Sequence, residues 1–120
     1  MTMQATLTVD FDANAAYLRV SEATIVETCE VAPGVLVDLD EFRCAVGIEV
    51  LDLSIDLPVA RIEREFHLKK EDAHRLASLS PNVTTFVARQ GGINVAAGER
   101  AGWETLEVHR PPTSPTVPEQ

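Results

Sequence analysis

Ala5-Thr6-Leu7-Thr8-Val9-Asp10-Phe11-Asp12-Ala13-Asn14-Ala15-Ala16-Tyr17-Leu18-Arg19-Val20 is the stretch that decides how this chain folds. Apolar side chains fall on every second position, with Ala5, Leu7, Val9 and Phe11 on one side and Thr6, Thr8 and Asp10 on the other. That period places one side on a core and the other in water, as in a strand of a half-buried sheet. Asp12-Ala13-Asn14 is turn chemistry, because Asp and Asn bond their own backbone and tolerate tight bends. After the turn the alternation resumes, with Leu18 and Val20 inward and Tyr17 and Arg19 outward. The same reading extends downstream. Thr24–Val31 is rich in β-branched residues and Pro33-Gly34 breaks it. Val35, Val37 and Leu39 share a face, and so do Cys44, Val46, Ile48 and Val50, with Gly47 and Glu49 opposite. Five short strands on short turns predict an antiparallel β-meander with one wet face. Such a layer cannot bury its own apolar side, so another element must cover it.

The period changes at Pro58. Val59, Ile62 and Phe66 have helical spacing, as do Ala73, Leu76 and Leu79. Pro58 suits a helix start and Pro81 forces a stop after Ser80. Two short helices broken near His67-Leu68 are the favoured reading; one helix is the rival, since positions 59, 66 and 73 lie a heptad apart. Val83–Arg89 is β-branched and reads as a strand, and Trp103–His109 as a last strand. Gly91-Gly92 and Gly98 mark loops, and residues 111–120, which hold four prolines, read as a disordered tail. The expectation is one α+β domain over residues 1–110: a five-stranded meander, a helical cover over 58–80, and C-terminal strands over 83–110.

Composition narrows the function classes. The chain has 120 residues, 45% of them apolar, and a formal net charge of −9. Residues 1–57 hold eleven acids and only Arg19 and Arg43 as bases, whereas residues 58–120 are balanced. This argues against nucleic acid as a partner, because phosphate contacts need clustered Lys and Arg. No apolar run reaches the eighteen or so residues of a membrane span. The opening Met1-Thr2-Met3-Gln4 lacks the signal-peptide pattern, and two cysteines are too few for a disulfide scaffold, so a cytoplasmic protein is expected.

Four stretches carry a family resemblance. Asp10–Val20 resembles the opening Asp-x-x-Ala-Asp-x-x-Tyr-Ile-x-Leu of the domain-of-unknown-function 2283 family. Glu27-Thr28, Gly34-Val35-Leu36-Val37-Asp38-Leu39-Asp40 and Gly47-Ile48-Glu49-Val50-Leu51-Asp52 follow in the family's order, so the resemblance covers about residues 5–55. Asn14 stands where the family often has Asp, and Arg43 where it usually has Gly in a turn, which predicts a longer or looser turn there. The resemblance implies a small cytoplasmic β-rich module with no assigned enzyme activity. It also implies an antitoxin-like role, since some relatives accompany small toxin-like proteins.

Asp10-x-Asp12-x-Asn14 starts like a calcium loop, but Ala15 and Ser21 occupy the positions that need Gly and a bidentate Glu. His67, Glu71 and His74 would share a face only on an unbroken helix, and their spacing matches no zinc motif. Cys29 and Cys44 are expected to be separated by the strand of residues 35–39, too far apart for a bridge. No Ser-His-Asp or Cys-His pairing suggests itself, and Gly91-Gly92 is not a phosphate loop. Arg61–Leu79 has helix-turn-helix rhythm with a near-neutral charge, and an amphipathic cover is the simpler reading. No enzyme activity, cofactor or metal is therefore expected.

What remains is the acidic side of the sheet, expected to carry nearly all the surplus negative charge. Asp10, Glu30, Asp38, Asp40 and Glu49 are the candidate partner-binding residues. The leading expectation is a non-enzymatic interaction protein whose acidic face, or an exposed strand edge, engages a basic protein. Self-association through an edge or through the Val59, Ile62 and Phe66 stripe is a further expectation. A small-molecule or divalent-metal module using Asp38, Asp40 and Glu49 is the alternative, and a DNA-contacting regulator through residues 61–79 is the third reading.

Overall fold

A computed structural model describes residues 5–89 with their side chains and the backbone of residues 105–109. The expected tail over 111–120 and the loops at Gly91-Gly92 and Gly98 lie outside the described residues. The α+β class and the five antiparallel strands are as the alternation demands. They are β1 (Thr6–Asp10), β2 (Ala15–Arg19), β3 (Glu27–Ala32), β4 (Val35–Leu39) and β5 (Ala45–Val50). Three helices follow, α1 (Val59–Glu65), α2 (Lys70–Ser78) and α3 (Val83–Arg89). The backbone of Thr105–His109 runs parallel to β1 as β6.

The strands do not follow one another in sequential order. The sheet runs β3-β4-β5-β2-β1-β6, so β2 pairs with β5 and not with β3. The chain is a β1–β2 hairpin joined to a β3–β4–β5 meander. Ser21–Val26 therefore has to cross the ends of β5 and β4, three strand spacings or about 14 Å. That span is why β3 begins at Glu27 and not at Thr24, and why Ile25 and Val26 are left exposed.

One face of the sheet is dry. Leu7, Val9, Leu18, Val35, Val37, Leu39 and Ile48 are each no more than 2% exposed, packed in one cluster with Ile62, Phe66, Leu76, Leu79, Val83 and Phe86 from the helices. All three helices thus cover the same side. The apolar stripe expected to serve self-association is spent here, since Ile62 and Phe66 are buried and Val59 packs against the core. In β5 the register slips, with Asp38 opposite Gly47 but Leu39 opposite Ala45. Val46 is the extra residue, and the core position expected of Cys44 goes to Ala45.

The helical segment resolves into two helices, broken where the sheet captures the chain. His67 donates its backbone N–H to Arg43 O at 3.2 Å, and its carbonyl accepts Ala45 N–H at 3.0 Å. Phe66 and Lys69 are accordingly extended.

Val83–Arg89 corrects the strand expected there. Asn82 caps α3 by accepting Thr85 N–H on Oδ1 at 2.9 Å, and Val83, Phe86 and Val87 are buried at helical spacing. Burial at i, i+3 and i+4 outweighs the modest helix penalty of Val and Thr. The signal was present in the sequence, as Asn82 one residue before that spacing.

Candidate interaction face

The face opposite the helices is lined by alternate residues of β1 to β5. The register puts Glu30, Leu36, Glu49, Tyr17 and Thr8 in one row across the sheet. The next row is Thr28, Asp38, Gly47, Arg19 and Thr6. Asp10 lies beyond the first row, opposite Ala15.

A polar network holds the centre of this face. Tyr17 reaches from β2 across β5 and donates its hydroxyl to Asp38 Oδ2 on β4 at 2.8 Å. Thr28 on β3 donates to the other oxygen, Asp38 Oδ1, at 2.6 Å. The crossing is open only because residue 47 is glycine: a Cβ there would lie 1.9 Å from the Tyr17 hydroxyl oxygen. Partial burial, then the hydrogen bond to Asp38 and the Asp38 charge, pushes the Tyr17 phenol far above its ordinary range. Tyr17 is thus held as a protonated donor.

The five candidate carboxylates fall into two groups. Asp10, Glu30, Asp38 and Glu49 share the open face by register, while Asp40 lies in the β4–β5 turn. Three of them are engaged with backbone. Asp10 Oδ1 accepts the N–H groups of Asp12 and Ala13 at 3.0 and 3.1 Å, the bonds of an ordinary turn. Asp40 Oδ1 accepts those of Phe42 and Cys44 at 2.8 and 2.9 Å, and Glu30 Oε2 that of Gly34 at 3.3 Å. Of the eleven acids in residues 1–57 only four lie on the open face, so the expected concentration of charge is diluted. The other seven occupy strand ends, turns and loops, where Asp40 and Asp52 cap backbone N–H groups. Among residues 5–89, Arg19 is the one Lys or Arg placed on the face by register.

Asp38, Asp40 and Glu49 do not converge, and both Asp38 oxygens are taken. Among the described residues no group of three His, Cys, Asp or Glu side chains is placed to hold a metal. His67 lies between the helices and so shares no helix face with Glu71 and His74. Cys29 on β3 and Cys44 at the start of β5 are free thiols with β4 between their strands. Sequence reasoning missed one juxtaposition. Cys44 and His67 form an isolated parallel bridge and line a depression of about 400 Å³ with Asp40, Lys69 and Asp72. Asp72 is buried there and paired with Arg75 at 2.7 Å; burial nevertheless pushes its carboxyl up, outweighing the opposing pull of Arg75.

The two departures in the turns are explained by contacts. Asn14 has φ 55°, and its side chain accepts Leu53 N–H at 3.3 Å and faces Asp52 Oδ1 at 3.5 Å, tying the first hairpin to the turn after β5. Hydrogen bonds from the Ser54 backbone and hydroxyl hold the Asp52 carboxyl below its ordinary range. Arg43 has φ 61° in a turn that stays tight, with Arg43 N–H donating to Asp40 O at 3.0 Å. The looser turn expected at Arg43 is therefore absent. Its side chain pairs with Glu27 at 3.3 Å and lies over the Phe66 ring at 5.6 Å.

Tyr17, Thr28, Asp38 and Gly47 come from four separate stretches of sequence and meet at one point of the open face. Residues 7–54 match the DUF2283 family. That family is described as a protein of unknown function, and the match confirms the resemblance carried by those stretches. No curated protein and no solved structure matches the chain. The DUF2283 stretch comprises nearly all of β1 to β5 and ends before α1, so the helical cover lies outside it.

Proposed function

We propose that this protein is a non-enzymatic interaction module whose open sheet face engages a basic protein, with the antitoxin-like role that DUF2283 resemblance implies. The observation that carries this reading is the one-sided cover. Three helices bury one face, while the other presents Tyr17 and Leu36 at its centre among Glu30, Asp38 and Glu49. An aromatic and an aliphatic side chain ringed by carboxylates suit a partner with apolar and cationic groups. The network around Asp38 pre-orders Tyr17, which lowers the entropic cost of docking. Among the described residues no helix is long and apolar enough to cross a membrane.

The test is an amide-shift titration of the labelled protein with a short lysine- and arginine-rich peptide. The expected outcome is a set of shifts confined to Thr8, Tyr17, Leu36, Glu49 and their neighbours, weakened by salt and by the double change Glu30→Gln/Glu49→Gln. Shifts spread evenly over the surface, or confined to α1–α3, overturn the proposal.

A further inference from the structure

The acidic sheet face is not the sole surface in this fold suited to a cationic chain. β3 ends the sheet on one side, and among the described residues no strand pairs with its outer edge. Such an edge offers a row of backbone donors and acceptors that an added strand can satisfy. Beside it lie three of the four large hydrophobic side chains exposed among the described residues, Ile25 at 40%, Val26 at 60% and Phe42 at 70%. Val26 and Phe42 form the walls of a groove of about 360 Å³, lined also by Ala23, Thr24, Asp40 and Glu41. The patch exists because Ser21–Val26 is stretched across the sheet end and the Asp40–Arg43 turn projects beside it. Val26 N–H bonds to Leu39 O at 2.8 Å, which fastens the strand entrance to that turn.

The chemistry of the groove selects its occupant. Its lining is mixed, with apolar surface from Val26 and Phe42 and the acidic residues Asp40 and Glu41 beside them. Asp40 is held in place by the two N–H groups it accepts, and Glu41 forms no ion pair among the described residues. An arginine side chain matches both features, since its stem and planar guanidinium lie on aromatic and aliphatic surface while its N–H groups bond carboxylate. β3 itself exposes Glu27 and Glu30. Glu30 points to the open face, while Glu27 lies on the other side and pairs with Arg43. A second copy paired on this edge would add a like-charged glutamate on each face and no new cation, which like-charge repulsion opposes. We infer that the β3 edge and the Val26–Phe42 groove form a docking site for an extended, arginine-bearing segment of the basic partner, which adds a strand to the sheet. The inference rests on the proposed function for the sign of the partner's charge, but it uses a different surface.

The probe is a labelled peptide alternating arginine with valine, compared with its lysine and glutamate counterparts by fluorescence anisotropy. The arginine peptide binds most tightly, and hydrogen exchange slows at β3 amides. Phe42→Ser and Glu41→Lys each weaken it about tenfold, as expected for removing a stacked or ion-paired contact, while the distant Glu63→Gln leaves it unchanged. Equal binding of the lysine peptide, or no effect of Phe42→Ser, overturns the groove. Weakening by Glu49→Gln without weakening by Phe42→Ser moves the peptide to the open face, overturning the groove while sparing the proposed function. Absence of binding, or a dimer in sedimentation that Phe42→Ser disperses, overturns it too.

Discussion

Gly47 and Tyr17 are a matched pair, and their energetics can be separated. A methyl at 47 collides with the phenol 1.9 Å away, so Tyr17 must leave Asp38. Gly47→Ala is expected to cost about 1–3 kcal/mol in urea unfolding, the range for overpacking. In a Tyr17→Ala background the added cost should largely disappear, because the obstacle is gone. The phenol also makes a pH prediction. Its folded pKa is raised above the ordinary 10.0, so the proton is held more tightly in the folded state. The associated stability is fully present below pH 10 and is lost as pH rises beyond it. Tyr17 is the single tyrosine of the chain, so its absorbance titration is unambiguous, and Asp38→Asn should bring the midpoint down. Arg43 gives a third residue-scale test. Left-handed backbone costs a non-glycine residue about 1 kcal/mol, so Arg43→Gly should be about 1 kcal/mol more stable than Arg43→Ala in denaturant unfolding. Both variants lose the Glu27 and Phe66 contacts, which isolates the backbone term.

At the scale of elements, α3 shows how a cap and three buried positions override β propensity. Asn82→Ala removes the acceptor for Thr85 N–H and should cost about 1 kcal/mol by thermal or urea unfolding. The break between α1 and α2 has a different origin. No residue at 66–69 is a helix breaker, and the helical spacing runs on through it. The break arises because His67 bonds into the end of β5, a contact across more than twenty residues of sequence. The strand-forming stretches were legible from alternation, and so were the face assignments of Tyr17, Asp38 and Glu49. The Asp38 partners were not, since Tyr17 is 21 residues away and reaches it over an intervening strand. Asp10, Asp40 and Glu30 read as charges in the sequence, yet the structure uses each as an acceptor for a nearby N–H. Single-sequence counting registers a carboxylate's sign but not its local bond.

For the molecule as a whole, the DUF2283 stretch and its cover form one core. Leu7, Ile48 and Val37 are at most 1% exposed, in a cluster that α1, α2 and α3 complete. A chain truncated after residue 57 should therefore lose cooperative unfolding and self-associate, read by circular dichroism and sedimentation. In the full chain, Leu76→Ala should cost about 2–5 kcal/mol, the range for opening a cavity in a packed interior. The sequence by itself determined that five strands lie within residues 5–51, that one side of their layer is apolar, and that the negative charge belongs to the first half; it misplaced a strand on α3. The correct readings were possible because alternation and charge are local properties that each segment carries wherever it is placed. Only the tertiary structure decided that β5 inserts beside β2, that Tyr17 crosses Gly47 to reach Asp38, and that His67 interrupts the helix. A period of two states which face is buried but leaves the neighbouring strand open, and that choice is made by packing and pairing across the whole core.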